Sequence, residues 1–151
     1  MMRARLERKG DAGRVLRRIA SSITGPQSIK VGFPSGTGID IVERATRNEF
    51  GTTGIPERPF FRNALTAHRD DYRRLLVHDG RRLLTGRMRI EAVMNRLGLS
   101  AVGHIQQSIV DLRTPPNSAQ TIAAKGSSNP LIDTGEMRQS VTYIVQQEAA
   151  A

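Results

Sequence analysis

The chain has 151 residues, 38% hydrophobic and only 4% aromatic, with no Trp and no Cys. That length holds one compact domain, its core must be built from aliphatic residues and Met, and disulfides and thiolate metal sites are excluded. The net charge is +9 and only Lys9, Lys30 and Lys125 among the 23 basic residues are not Arg, so a surface of guanidinium forks awaits an acidic partner, either protein or nucleic acid.

No apolar run approaches the roughly 20 residues that span a bilayer. The start, MMRARLERKGDAG, is basic without an apolar stretch behind it, unlike a secretory leader. No membrane contact is expected, and the lack of Cys suits a reducing cytoplasm.

Residues 1–24 are expected to form an N-terminal helix. Within Arg3–Ser22, extended to Ile23, the residues Val15, Leu16, Ile19 and Ile23 share one face, and Asp11 stands as N-cap. Ser28–Phe33 alternates apolar and polar residues as a half-buried strand does, and Pro34–Gly38 is a turn. Ile39–Glu49 fits either a strand or a helix with Ile41, Val42, Ala45 and Glu49 together. Phe50–Arg58 reads as loop, and Pro59 suits the first position of a helix running to about His78. Asp79–Gly80 reads as a break or kink. Arg82–Leu112 is the longest periodic segment, with Ile90, Met94, Leu97, Ala101, Ile105, Ile109 and Leu112 at helical spacing. Gly98 and Gly103 inside it imply close packing of another backbone, since each costs up to about 1 kcal/mol relative to Ala.

Residues 113–130 read as a long loop or arm, stopped at its start by Pro115–Pro116. Asp133–Met137 looks like a helical turn and Gln139–Gln147 a strand; residues 148–151 form a frayed tail. The C-terminal strand must return to pair with the N-terminal one. The expected fold is one α+β domain: a small antiparallel or mixed sheet, an N-terminal helix, two long helices packed on the sheet, and a long extended loop before the last strand.

Chemistry is hard to find. His68, His78 and His104 lack the i, i+4 spacing of a helical zinc site and read as packed or solvated. Asp70 and Asp71 point to different helix faces and offset Arg69, Arg73 and Arg74. Pro34–Gly38 and Lys125–Ser127 lack the phosphate-loop pattern, and no nucleophile elbow exists. No catalytic residue, cofactor or metal is expected. Ten arginines lie between Arg58 and Arg96 against four acids, which keeps a nonspecific nucleic-acid-binding module open as the alternative function.

Two motifs stand out: NEFGTTGIPERPFF (Asn48–Phe61) and NPLIDTGEMRQSVTYIV (Asn129–Val145). Glu49–Phe50–Gly51 followed by Pro56, Arg58, Pro59 and Phe60 resembles a signature of phage proteins grouped with the tenth gene product of HK97, and of Mu-like virion morphogenesis proteins. Leu131, Thr134, Gly135 and Ser140 are similar to that group's second pattern, and Thr121 and Lys125 match its Thr-x-x-x-Lys spacing. The resemblance covers roughly Ile29 to Val145. It implies a strand, ending at the Glu49–Gly51 corner, that pairs with Ser28–Phe33. It also implies a structural virion protein of the neck or head-proximal tail end, a ring subunit in head–tail joining or tail completion. Its partners would be copies of itself, other neck, connector and tail proteins, and packaged DNA through nonspecific contact. It would reside in the virion after assembly in the host cytoplasm. Thr114–Pro130, with Thr114, Pro115, Thr121, Lys125 and Pro130, is then the candidate assembly loop, ordering on a neighbour. Arg58 is expected to anchor its own segment by pairing with Glu57 or Glu49, or else to face a neighbour.

Overall fold

The computed structural model describes residues 12–146. Within them the fold is α+β, in the order α1 (Ala12–Ile23), β1 (Ser28–Gly32), α2 (Ile39–Phe50), α3 (Phe60–Ala67), α4 (Arg69–Leu84), α5 (Ile90–Asp111), α6 (Ala119–Lys125), α7 (Glu136–Gln139) and β2 (Thr142–Gln146). The expected helix before Ala12, its Asp11 cap and the tail 148–151 lie outside the described residues.

The two strands pair antiparallel, with Ile29 opposite Val145 and Val31 opposite Tyr143. This joins the two ends of the described chain, as the period-two patterns of both segments require. Val31 and Phe33 pack against the core, while Lys30 and Ile144 face outward.

α5 is the central helix. Its Ala101, Ile105 and Ile109 are buried with Ala45 of α2, Phe60 and Ala64 of α3, and Leu131, Met137 and Val141 from the C-terminal segment. A fully buried Ile or Phe contributes about 1.5–3 kcal/mol, so this aliphatic cluster around one Phe ring organises the fold. Ser108 Oγ donates to the Phe60 carbonyl at 2.8 Å, fixing α5 against the start of α3.

Five expectations are corrected. Ile39–Phe50 is a helix, so among the described residues β1 pairs only with β2. Ion pairs Arg44–Asp40 and Arg47–Glu43 at i, i+4 support that helix, and Ala45 and Glu49 turn inward from one face of it. The segment Arg82–Leu112 is interrupted after Leu84. Gly86 adopts φ +67°, with Gly86 N–H donating to Leu83 O and Arg87 N–H to Arg82 O, the paired bonds of a Schellman stop. Likewise the helix expected from Pro59 to about His78 divides at His68 into α3 and α4. Asp79–Gly80 breaks nothing. α4 runs through it, and Asp79 is fully buried, with Oδ1 at 2.9 Å from His78 Nδ1 and Oδ2 at 2.9 Å from Arg96 Nε of α5. Finally, the loop 113–130 contains α6, started by the Ser118 side chain accepting from Thr121 N–H and ended by Gly126 at φ +68°.

α1 rests on α4 through Ser22, whose hydroxyl donates to Leu83 O at 2.9 Å. Its apolar stripe turns away from the core: Val15, Leu16 and Ile23 are 56%, 65% and 43% exposed.

Gly98 and Gly103 differ. A Cβ on Gly98 would run into the Tyr143 ring, whereas one on Gly103 would meet nothing within 4 Å. Gly98→Ala should therefore destabilise by about 1–3 kcal/mol, while Gly103→Ala should stabilise by up to about 1 kcal/mol. Urea denaturation of both variants checks the opposite signs.

Candidate functional site

The first motif is the joint between α2 and α3. Glu49, on the last turn of α2, is 6% exposed and reaches across the loop to the start of α3. Its carboxylate accepts from Phe61 N–H at 2.9 Å and Arg62 N–H at 3.1 Å, so it caps a helix twelve residues further on. Arg62 Nε also donates to it at 3.0 Å, and Arg62 pairs with Glu57 besides. Phe50 is exposed, with the Arg62 guanidinium 5.3 Å from its ring centre. Gly51 takes φ +71°, and a Cβ there would stand 3.0 Å from Glu57 N, so the corner requires glycine. Between them, Thr52 and Ile55 exchange backbone hydrogen bonds and fold the loop into a tight turn. Pro59 stands just before α3, its carbonyl accepting from Asn63 N–H, and Phe60 enters the core.

Arg58 is the centre of the site. It is 4% exposed. Its Nη1 donates to Asn48 Oδ1 at 2.9 Å, its Nε to Pro115 O at 2.8 Å, and its Nη2 to Pro116 O at 3.0 Å and Asn117 Oδ1 at 3.2 Å. The expected pairing with Glu57 or Glu49 is not made, because Arg62 takes both acids. Arg58 instead grips the start of the loop 113–130, and every one of these acceptors is neutral. Burial alone pushes its guanidinium below the ordinary arginine value.

The second motif completes the surround. Asn129 Oδ1 accepts from Leu131 and Ile132 N–H while its Nδ2 donates to Val110 O, tying the turn to the end of α5. Leu131 and Pro130 are buried. Gly135 at φ +85° precedes α7, where Thr134 Oγ1 accepts from Glu136 N–H at 3.4 Å, and half-buried Ser140 ends it. Lys125 Nζ reaches Asn129 O at 3.3 Å. Thr114 stays exposed at the margin.

Together these segments wall a cleft of about 530 Å³ lined by Pro56, Arg58, Asn117, Thr121, Lys125 and Pro130 among others. Pro56 and Arg58 from the first motif therefore meet Thr121, Lys125 and Pro130 from a distant stretch of the chain. Glu49, Phe50, Leu131, Gly135 and Ser140 do not line the cleft. No lining residue is an acid or a His, so the cleft offers donors and positive charge without a general base.

The structure also joins two histidines that the sequence separates. His68 and His104 stack with ring centres 3.6 Å apart and planes 8° from parallel. His68 Nδ1 meets Asp71 Oδ2 at 2.7 Å, and His104 Nδ1 meets Tyr72 Oη at 3.0 Å. The candidate ligand atoms of His68, Asp71 and His104 lie within 4.8 Å of one another. Imidazole lone pairs lie in the ring plane, however, and two parallel stacked planes do not converge on one ion. Both rings are half-buried, as packed histidines.

No family model, curated protein or solved structure matches the chain. Among the described residues, no helix is long and apolar enough to cross a membrane.

Two predictions follow from these contacts. Arg58→Lys should destabilise by about 2–4 kcal/mol, since a single ammonium cannot span four acceptors in one plane; thermal and urea denaturation measure this. The second concerns pH. Burial, helped by the charge of His68 and opposed by Asp71, holds His104 below the ordinary histidine value. The unfolded chain thus binds this proton first, so the contribution of His104 is complete above about pH 6.5 and is lost as pH falls through its folded pKa. Hydrogen bonds from His68 and then Arg74 depress Asp71, placing its loss in the more acid range below the ordinary carboxylate value. His104→Gln should flatten the stability profile between about pH 7 and pH 5, read by denaturation at each pH.

Proposed function

We propose that the chain is a structural virion protein of a phage neck or head-proximal tail end, acting as a ring subunit in head–tail joining or tail completion. The observation that supports this reading most is the meeting of the two motifs around Arg58. Residues that resemble one family's signature serve to fix loops around an open cleft, and none is arranged for turnover. The exposed stripe of Val15, Leu16 and Ile23 on α1 adds support, because an apolar helix face flanked by Arg14, Arg17 and Arg18 suits burial against a neighbouring subunit. The partners in this reading are copies of the chain, other neck, connector and tail proteins, and packaged DNA through nonspecific contact. The site of action is the virion, after assembly in the host cytoplasm.

The second reading, a nonspecific nucleic-acid-binding module, is favoured by the exposed Arg69, Arg81, Arg82, Arg87 and Arg89 on α4 and the turn after it. Salt separates the two, since duplex affinity would fall with a log–log slope of about 0.9 per phosphate contacted.

Electron microscopy of particles made without this protein tests the first reading. Filled heads and free tails are expected. Joined, infectious virions would overturn it.

A further inference from the structure

The charge around the cleft is unbalanced. Arg58 is buried among neutral acceptors only. Lys125, on α6, lies below its ordinary value chiefly through burial, with Asp133 opposing and the charges of Arg58 and Arg44 adding to the depression. Arg58 and Lys125 therefore line one recess that no acid lines, and Asp133 is the acid that offsets Lys125. A buried guanidinium without a counter-ion favours any anion that can reach its surroundings.

Donors are in place. Lys125 uses one N–H in a long 3.3 Å bond to Asn129 O, leaving two. The Thr121 and Ser118 hydroxyls are hydrogen-bonded to each other at 2.8 Å on the same wall. Arg58 holds Asn117 Oδ1, which fixes the amide orientation, and Asn117 Nδ2 is buried without an acceptor.

The shape and the rim choose the anion. A duplex presents a row of phosphates to exposed basic residues, whereas Arg58 is recessed. The adjoining surface, which shares Asn48 and Ile55 with the cleft, carries Asp40 and Glu43 paired with Arg44 and Arg47. A face of neutralised pairs does not extend the positive charge that a polyanion follows, and it leaves room for one carboxylate on a flexible side chain.

We propose that the cleft between Arg58 and Lys125 is a receptor for a single carboxylate side chain, Asp or Glu, projecting from a protein partner. It rests on the assembly reading for its biological setting, though not for its chemistry. The carboxylate sits against the Lys125 ammonium and the Ser118–Thr121 hydroxyls and offsets the Arg58 charge from outside.

The test is a titration of the full ¹⁵N-labelled chain, followed by NMR, with a short glutamate-containing peptide, its glutamine counterpart and a short DNA duplex. The glutamate peptide should give saturable shifts at Asn117, Thr121 and Lys125 in the millimolar range, and the glutamine peptide binding about tenfold weaker. Lys125→Gln should weaken the glutamate peptide by about tenfold while Lys125→Arg retains it. Bound peptide should also raise the pKa of the Lys125 ammonium, which a merely structural lysine would not show. Absence of saturable shifts, equal response to both peptides, or stronger response of the same signals to the duplex would each overturn the proposal. The titration uses no phage, so its failure leaves the particle assay standing, and joined virions without the protein would leave the cleft's chemistry intact.

Discussion

Arg58 carries a permanent positive charge into a place that is almost closed to water, and no carboxylate meets it there. A charge so placed is tolerated only when its hydrogen-bonding directions are filled. The acceptors that fill them come from two stretches: Asn48 at the end of α2, and the Pro115 and Pro116 carbonyls with the Asn117 side chain between α5 and α6. Holding the guanidinium therefore holds the end of one helix and the path of the chain after α5 together. The backbone repeats the attachment, with Arg58 N–H donating to Asn48 O at 2.6 Å.

The neighbouring contacts follow from that arrangement. With Arg58 turned toward the loop, Glu49 is left to cap α3 and Arg62 to neutralise Glu49 and Glu57. Phe60 then enters the core beneath α5, and Ser108 fixes its carbonyl. Asn129 closes the circuit by tying the far end of the loop to Val110. Polar anchors thus surround the aliphatic cluster of Ile105 and Ile109. The arrangement specifies loop geometry in a chain whose core, with few aromatics, supplies little shape of its own.

Much of this was legible in the sequence. The alternation in Ser28–Phe33 and Gln139–Gln147 placed both strands and required their pairing, and the spacing of Ala101, Ile105 and Ile109 placed the inner face of α5. Residues 39–50 were ambiguous because Ile39 and Ile41 fit a strand face while Ala45 and Glu49 fit a helix. The family resemblance tipped the expectation toward a strand, and the i, i+4 pairs of Asp40 with Arg44 and Glu43 with Arg47 were the signal that opposed it. α6 was visible in outline, since Ser118 and Gly126 are a good N-cap and a good helix stop, yet the prolines and small residues around them suggested only loop. The Gly86 stop lay inside a segment read as one helix, although the periodic apolar positions begin only at Ile90. The motif residues stood out in the sequence, but not their partners. Main-chain carbonyls at Pro115 and Pro116 leave no mark in a sequence, and nothing local told Arg58 from Arg62. The stacking of His68 on His104 joins two helices and had no local signal either.

The most direct test of Arg58 as the organising contact is a double-mutant cycle with Asn48, using Arg58→Met and Asn48→Ala and measuring unfolding free energies of both single variants and the double. A shared contact predicts a coupling energy of about 1–3 kcal/mol. Additive effects within about 0.5 kcal/mol would contradict it and show that the two ends of the first motif are held independently.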